Sequence, residues 1–139
     1  MKKLMLTIFS IIVLTGPFVF ADDAQTPDTV IAYYFHGSFR CVTCTNMEKY
    51  SREAIKTNFQ DDLDSGKLEF KAVNVEEPGN EHFVNDYQLY TKSLILSMVK
   101  DGKEVKHKNL DKIWELARNK QKFIDYVDRE VNKFMKDAQ

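Results

Sequence analysis

The apolar residues of this chain form short continuous or alternating runs, separated by stretches with a three- to four-residue period. Three runs rich in β-branched and aromatic residues predict strands at 30–35, 68–75 and 94–99. The first, Val-Ile-Ala-Tyr-Tyr-Phe, is nearly continuous, which is typical of a strand covered on both faces of a sheet. An Asp-Gly pair at 101–102 predicts a hairpin turn into an antiparallel edge strand at 103–108.

The stretches with a three- to four-residue period predict amphipathic helices. The longest covers 44–63 and ends at a Ser-Gly stop. A short helix through Tyr87 is predicted with Asn80 as its cap, and Asn109 is predicted to cap the first of two C-terminal segments. We expect the first segment to bury Leu110, Ile113, Trp114 and Ala117, and the second to bury Phe123, Ile124, Val127, Val131 and Phe134.

These elements follow one another in the order β-α-β-α-β-β-α. Parallel strands joined through a helix cross over right-handed, and the hairpin adds an edge strand. The order therefore predicts one α/β domain over residues 30–139, with a mixed central sheet and helices on both faces. A domain of this size buries a core without covalent cross-links, so its two cysteines need another explanation than a disulfide scaffold.

Residues 1–21 have the layout of a secretory signal peptide. Lys2 and Lys3 precede an uncharged apolar run at 4–20, and Ala21 ends it with a small residue. We expect cleavage there and a flexible polar leader at 22–29, which predicts a periplasmic or secreted protein that is not inserted in the membrane after cleavage. The alternative is an uncleaved membrane anchor, because the run is nearly long enough to span a bilayer.

The charge balance and the motifs exclude several classes of function. Loss of Lys2 and Lys3 with the signal peptide takes the formal net charge from −1 to −3, which gives no electrostatic footprint for nucleic acid. The sequence has no phosphate loop, dinucleotide fingerprint or paired-carboxylate motif. We therefore expect no nucleic-acid partner and no organic cofactor.

Two cysteines, Cys41 and Cys44, lie where the first strand passes into the first helix. The free N–H groups and the positive dipole end of a helix start stabilise a thiolate there. Cys41, with Arg40 adjacent and His36 upstream, is expected to be exposed and nucleophilic, whereas Cys44 lies on the apolar stripe. Cys41 would then attack a substrate disulfide and Cys44 would resolve the mixed disulfide. His36 is a candidate base, with a local hydrogen bond as the alternative.

Other roles for the Cys41–Cys44 pair stay open beside thiol–disulfide exchange. A disulfide that closes so short a loop stabilises the fold little, about 2 kcal/mol or less by loop entropy. The pair could also hold a soft metal or metalloid ion as thiolates, which needs a second chain or added ligands such as Met47 or His36. A third hypothesis is an interaction subunit whose disulfide is inert. For Met47 itself the alternative is a core methionine.

With Cys-x-x-Cys at this junction, the chain resembles the thioredoxin-like superfamily over almost all of the predicted domain. The stretches YYFHGSFRCVTC, VNVEEPGNEHFVNDYQL, KSLIL and KNLDKIWELARNKQKF look like a small exported group described as nitrophenyl-compound nitroreductase subunit-like proteins. The superfamily resemblance implies a thioredoxin-like fold, with protein thiols or disulfides as partners and a possible membrane redox partner. Nitroreductase activity would require a flavin or another subunit, because the chain shows no site for one.

The chain departs from the superfamily pattern around the cysteines. Thioredoxins usually carry Trp before the first cysteine and Gly-Pro between the pair, whereas this chain has Arg40 and Val42-Thr43, so the resemblance does not imply a reduction potential. The position of the superfamily cis-proline falls on Ser93. A cis bond before a residue other than proline costs about 2.5–4 kcal/mol, so we expect a trans bond there. In the superfamily, loss of this proline is associated with metal or cluster binding between chains.

Aromatic residues replace the acid that the superfamily buries beneath the second cysteine. Tyr34 or Phe35 holds the matching place. Tyr33 and Tyr34 are expected on opposite faces of the sheet, so at most one of them neighbours the cysteines. His82 and His107 are expected on the surface, distant from the pair. Proton removal from Cys44 is therefore left to water, to His36 or to no group at all.

Overall fold

The computed structural model describes residues 28–137, so the predicted signal peptide and most of the leader lie outside the described residues. Nine elements follow in chain order over that range: β1 (Thr29–His36), α1 (Val42–Asn58), α2 (Gln60–Asp64), β2 (Leu68–Asn74), α3 (His82–Asp86), β3 (Ser93–Lys100), β4 (Lys103–Asn109), α4 (Ile113–Leu116) and α5 (Lys120–Lys136). Within 28–137, none of the helices is both long and apolar enough to cross a bilayer.

The four strands form one mixed sheet in the order β2-β1-β3-β4. β1 pairs in parallel with β2, where Val30 lies opposite Leu68, and antiparallel with β3, where Phe35 lies opposite Ser93. β4 pairs antiparallel with β3 and forms an edge. The apolar runs of β1 and β3 thus occupy the two inner positions of the sheet, as expected of strands that are covered on both faces.

Two long helices cover one face of the sheet. Residues of β1 with even numbers, including Tyr34, point into a core that α1 supplies with Met47 and Ile55 and α5 supplies with Phe123 and Val127. All five of these side chains are inaccessible to solvent. The three- to four-residue period of both helices provides the apolar stripe that this packing needs.

The short helix α3 covers the opposite face with aromatic rings. Phe83 packs against Phe35 and Tyr33 with ring centroids 5.0 and 5.7 Å apart, and Tyr87 lies 5.4 Å from Phe35. Tyr33 and Tyr34 therefore lie on opposite faces, as the alternation of a strand requires. The predicted α/β class, with a mixed sheet and helices on both faces, is confirmed.

The predicted helix over 44–63 is interrupted, and the two predicted asparagine caps are wrong. Phe59 leaves the helical region (φ −131°, ψ 33°) with its ring buried, and α2 begins after it. Asn80 donates its side-chain N–H to the carbonyl of Asn74 instead of capping α3. Asn109 belongs to β4, and the asparagine that caps a C-terminal helix is Asn119, which accepts from the Lys122 N–H.

Trp114 was expected in the core and lies at the surface. Leu110 and Ile113 are buried as predicted, but Trp114 is 40% exposed. α4 has only four residues, so one side of it faces the core and Ile113 takes that position. The indole N–H of Trp114 donates to the carbonyl of Lys92, 2.9 Å away, in the segment before β3.

Candidate active site

Cys41 and Cys44 form a disulfide at the start of α1, with their Cα atoms 5.0 Å apart. Cys41 is the N-cap residue with an extended backbone, and its Sγ accepts the N–H of Cys44 at 3.1 Å. Cys41 is partly exposed, whereas Cys44 is 2% exposed. The cysteine expected to be nucleophilic is thus the accessible one, and its partner faces the core.

The local sequence favours a thiolate at Cys41 once the disulfide is reduced. The first turn of α1 contains no acidic residue, so the positive end of the helix dipole is not compensated there. The N–H of Cys44 is already directed at the sulfur of Cys41. Both features stabilise a negative charge on that sulfur relative to the protonated thiol.

Of the two residues predicted to replace a buried acid beneath Cys44, Tyr34 is the one that lies there. Phe35 lies on the opposite face of the sheet. The Tyr34 hydroxyl is buried and donates to the carbonyl oxygen of Cys44 at 2.7 Å. Burial raises the pKa of Tyr34 well above its usual range and outweighs the charge of Arg40, which acts to lower it. The phenol therefore stays protonated at neutral pH, so it anchors α1 to the sheet without accepting a proton.

His36 is engaged at both ring nitrogens. Arg40 Nη1 lies 3.2 Å from His36 Nε2, and a guanidinium can only donate, so Nε2 accepts this hydrogen bond. The proton then lies on Nδ1, which donates to the carbonyl oxygen of Gly37 at 3.0 Å. This arrangement matches the alternative of a locally hydrogen-bonded histidine better than that of a base for Cys44.

Glu48 is a site residue that the sequence analysis missed. Its two oxygens accept hydrogen bonds from two arginines, Arg40 Nη2 and, at 3.0 Å, Arg52 Nη2. Burial acts to raise the pKa of Glu48, but the hydrogen bonds from Arg40 and Arg52 outweigh it and hold that pKa below its usual range. The four-residue spacing of Cys44, Glu48 and Arg52 places them along one face of α1, which was the available signal.

Ser93 begins β3 at the end of the sheet where the cysteine loop starts. It lies opposite Phe35 in the β1–β3 pairing, is 6% exposed, and donates its hydroxyl to the carbonyl of Thr91 at 3.0 Å. Throughout residues 28–137 the peptide bonds are trans, the bond before Ser93 included. The peptide bond at the position of the superfamily proline is therefore trans, as predicted for Ser93.

Large apolar side chains are exposed around the disulfide. Phe39 and Val42, on either side of Cys41, are 75% and 80% exposed. The ammonium of Lys92 lies 5.9 Å from the centre of the Phe39 ring, and the indole of Trp114 is bonded to the Lys92 carbonyl. We call Phe39, Val42 and Trp114 the apolar rim. The sequence pattern did not single out Phe39 or Val42, because both precede Cys44, where the apolar period that predicts the first helix begins.

A carboxylate holds the loop that leads to Cys41. Glu76, which follows β2, accepts the backbone N–H of Ser38 at 2.9 Å. Hydrogen bonds from Ser38 lower the pKa of Glu76. Gly37 permits this approach, because a Cβ at that position would lie 2.5 Å from Glu76 Oε1. A cleft of about 170 Å³, lined by His36, Gly37, Glu76 and Lys92 among others, opens beside this loop.

The two residues predicted as added metal ligands, Met47 and His36, are engaged elsewhere, since both ring nitrogens of His36 are hydrogen-bonded. Met47 is fully buried in the core, as its alternative predicted. His82 bonds to Asp86 and His107 to Glu104, both at exposed positions. Across residues 28–137 no three His, Cys, Asp or Glu side chains form a group suited to a metal ion.

Comparison with known proteins gives similarity to solved thioredoxin structures. The chain is 24% identical to a thioredoxin from Fasciola hepatica, over 73% of this chain and 80% of that one, with a TM-score of 0.41. It is 16% identical to a thioredoxin from Thermus thermophilus, over 65% and 72% of the two chains, with a TM-score of 0.38. No family model and no curated protein matches the chain, so the narrower resemblance to the nitroreductase subunit-like group stays a prediction.

Proposed function

We propose that this protein catalyses thiol–disulfide exchange with protein thiols or disulfides through Cys41 and Cys44. The observation that carries the proposal is the disulfide at the start of α1, in which Cys41 is accessible and Cys44 is 2% exposed. This difference in exposure supports Cys41 as the sulfur that attacks the substrate and Cys44 as the sulfur that resolves the mixed disulfide. A disulfide with a purely structural role would not require either sulfur to be accessible.

The exchange begins with the thiolate of Cys41 attacking one sulfur of a substrate disulfide. A mixed disulfide forms, and the other substrate sulfur leaves as a thiolate that takes a proton from water. Cys44 then loses its proton to water and attacks the sulfur of Cys41. The Cys41–Cys44 disulfide re-forms and the second substrate thiol is released, so the substrate gains the two electrons that the cysteines lose. Run in reverse, the same steps oxidise a dithiol.

The surroundings of Cys44 support water as the proton acceptor. Tyr34 lies beneath it and holds its own proton, because burial raises the pKa of that phenol. The nitrogens of His36 are occupied by Arg40 and Gly37. Deprotonation of Cys44 is then the step that lacks help from a side chain, which predicts slow resolution relative to attack.

The apolar rim supports a polypeptide substrate. Phe39 and Val42 keep three quarters or more of their surface in solvent next to Cys41. Large exposed apolar side chains around a reactive group favour contact with another apolar surface over contact with a small hydrophilic thiol.

Export is part of the same proposal. It is supported by the pattern of residues 1–21, and the Cys41–Cys44 disulfide is compatible with an oxidising compartment. Fusion of residues 1–29 to alkaline phosphatase, which is active only after export, tests it. Activity in a bacterial host supports export, and an inactive fusion retained in the cytoplasm contradicts it. A membrane redox partner stays a prediction.

The deciding experiment is the reduction potential of the Cys41–Cys44 pair. The protein is equilibrated in graded glutathione buffers, and the thiols are counted by alkylation and mass. A reversible potential above about −250 mV supports an exchange catalyst. A potential below about −300 mV marks a structural bridge and favours the inert-disulfide hypothesis. Reduction of insulin, with Cys41→Ser as the inactive control, measures catalysis directly.

A further inference from the structure

Two hydrogen bonds from its guanidinium group restrain the conformation of the Arg40 side chain. Its Nη1 donates to His36 Nε2 at 3.2 Å and its Nη2 donates to Glu48. Glu48 in turn is held by Arg52, whose Nη2 lies 3.0 Å from its other oxygen. The arginine next to the reactive cysteine is therefore tied to an acid two helical turns further along α1.

The Arg40–Glu48 ion pair changes the electrostatic potential at the sulfur of Cys41. An unpaired Arg40, which directly precedes Cys41 in the chain, would favour the thiolate, since a nearby cation stabilises it. Glu48 compensates this charge, and its side chain is only 18% exposed, so water screens the compensation incompletely. Arg52 restores part of the positive charge from the far side of Glu48.

Resting on the proposed function, we propose that Glu48 is a positioning residue that restrains Arg40 and thereby limits the reactivity of Cys41. It touches neither sulfur in this role and acts through the arginine. The other charged or titratable groups near this end of the sheet are His36 and Tyr34 from β1, Arg52 from α1, and Glu76 and Lys92 from the neighbouring loops.

Alkylation of Cys41 in the reduced full chain tests the proposal without any substrate. The rate with iodoacetamide is followed by mass from pH 4 to 9, which gives the thiolate fraction. In Glu48→Gln the rate at pH 6 should rise about three- to ten-fold, because Arg40 loses its partner. The matched control is Glu53→Gln, which removes the same charge from an acid of α1 that pairs with Lys120. Its rate should stay within about two-fold of the wild type.

A double-mutant cycle shows whether Glu48 acts through Arg40. The Glu48→Gln change is repeated in an Arg40→Gln background, where the rise should fall to less than half of its value. An equal rise in both backgrounds would mean that Glu48 acts on the sulfur directly, and it overturns the positioning role. An unchanged or slower Glu48→Gln also overturns it.

Arg52→Gln provides a second test that does not depend on the folding of Glu48→Gln. Arg52 is 42% exposed, so its replacement leaves the core intact. Glu48 then compensates Arg40 alone, and alkylation of Cys41 should slow about two- to three-fold; a faster rate contradicts the proposal. Failure of the proposed function appears separately, as a low reduction potential or as no reduction of insulin.

Discussion

The hydroxyl of Tyr34 donates a 2.7 Å hydrogen bond to the carbonyl oxygen of Cys44. The bond joins the central strand of the sheet to the first turn of α1, at the residue proposed to resolve mixed disulfides. It ties the position of Cys44 to the most buried part of the domain, because Tyr34 is inaccessible to solvent. The same contact places a neutral phenol, which accepts no proton from the thiol, beside the main chain of Cys44.

Tyr34→Phe should destabilise the oxidised protein by about 0.5–1.5 kcal/mol, since the ring still packs and one buried hydrogen bond is lost. Urea unfolding followed by circular dichroism measures the change. The matched control is Tyr33→Phe, which removes the same group from the opposite face. Equal losses in the two variants would mean that the bond to Cys44 adds nothing beyond the burial of a tyrosine.

Cys44→Ser should accumulate a covalent complex with a disulfide-containing polypeptide such as insulin. Cys41 can still attack, but no second sulfur is present to release it. Non-reducing electrophoresis and mass spectrometry identify the adduct and its attachment to Cys41. Cys41→Ser should give no adduct, because Cys44 is 2% exposed. An adduct formed only by Cys41→Ser would reverse the assigned roles.

The apolar rim should matter for polypeptide substrates alone. Phe39→Ser and Trp114→Ser are each expected to lower kcat/KM for insulin reduction about five-fold, which corresponds to about 1 kcal/mol of lost apolar contact. The rate of exchange with glutathione should stay unchanged. Val105→Ser is the control, because Val105 is 56% exposed on β4, outside the rim. Equal effects on both substrates would argue against docking on the rim.

Glu104 should contribute stability that disappears in acid. Its carboxylate accepts from the hydroxyls of Tyr87 and Ser97 and pairs with His107 at 3.0 Å. Burial acts to raise the pKa of Glu104, but the bonds from Ser97, Tyr87 and His107 dominate and lower it. The folded pKa therefore lies below the unfolded one, so this stability is complete above the unfolded pKa and is lost as pH falls through the folded one.

Glu104→Gln should accordingly destabilise the protein at pH 7 by about 1 kcal/mol, a low value for bonds to a charged group because a third of the side chain is exposed. The difference from the wild type should shrink below about pH 4. Urea unfolding from pH 7 to 3 measures it. Glu115→Gln, at an exposed position of α4, is the control and should not change stability at either end of the range.

The element order could be predicted because each strand and helix has its own hydrophobic pattern along the chain. The position of the cysteines between β1 and α1 follows from the same patterns. The nearly continuous apolar run of β1 gives way to the three- to four-residue period of α1, and the change of pattern falls around Cys41 and Cys44. Burial of Cys44 follows from its position on the apolar stripe of α1. Each of these properties depends on neighbours within a few residues.

What could not be predicted depends on contacts between distant segments. Trp114 lies on a helix of one turn, and only the packing of α4 against α5 decides that Ile113 faces the core instead. Asn80 resembles a cap, but its side chain is bonded to Asn74 across a turn. The role of Glu48 requires the direction of the Arg40 side chain, which spacing along α1 does not reveal.

The surface position of Trp114 has an optical consequence. The chain contains one tryptophan, and its indole N–H is bonded to the carbonyl of Lys92, next to Ser93. Ultraviolet emission from the whole protein therefore originates mainly at one side of the cysteine site, in a ring that is 40% exposed. Changes in that segment, on reduction of the disulfide or on binding of a polypeptide, should alter the intensity and wavelength of this emission, so reduction of Cys41–Cys44 should be measurable by intrinsic fluorescence without an added label.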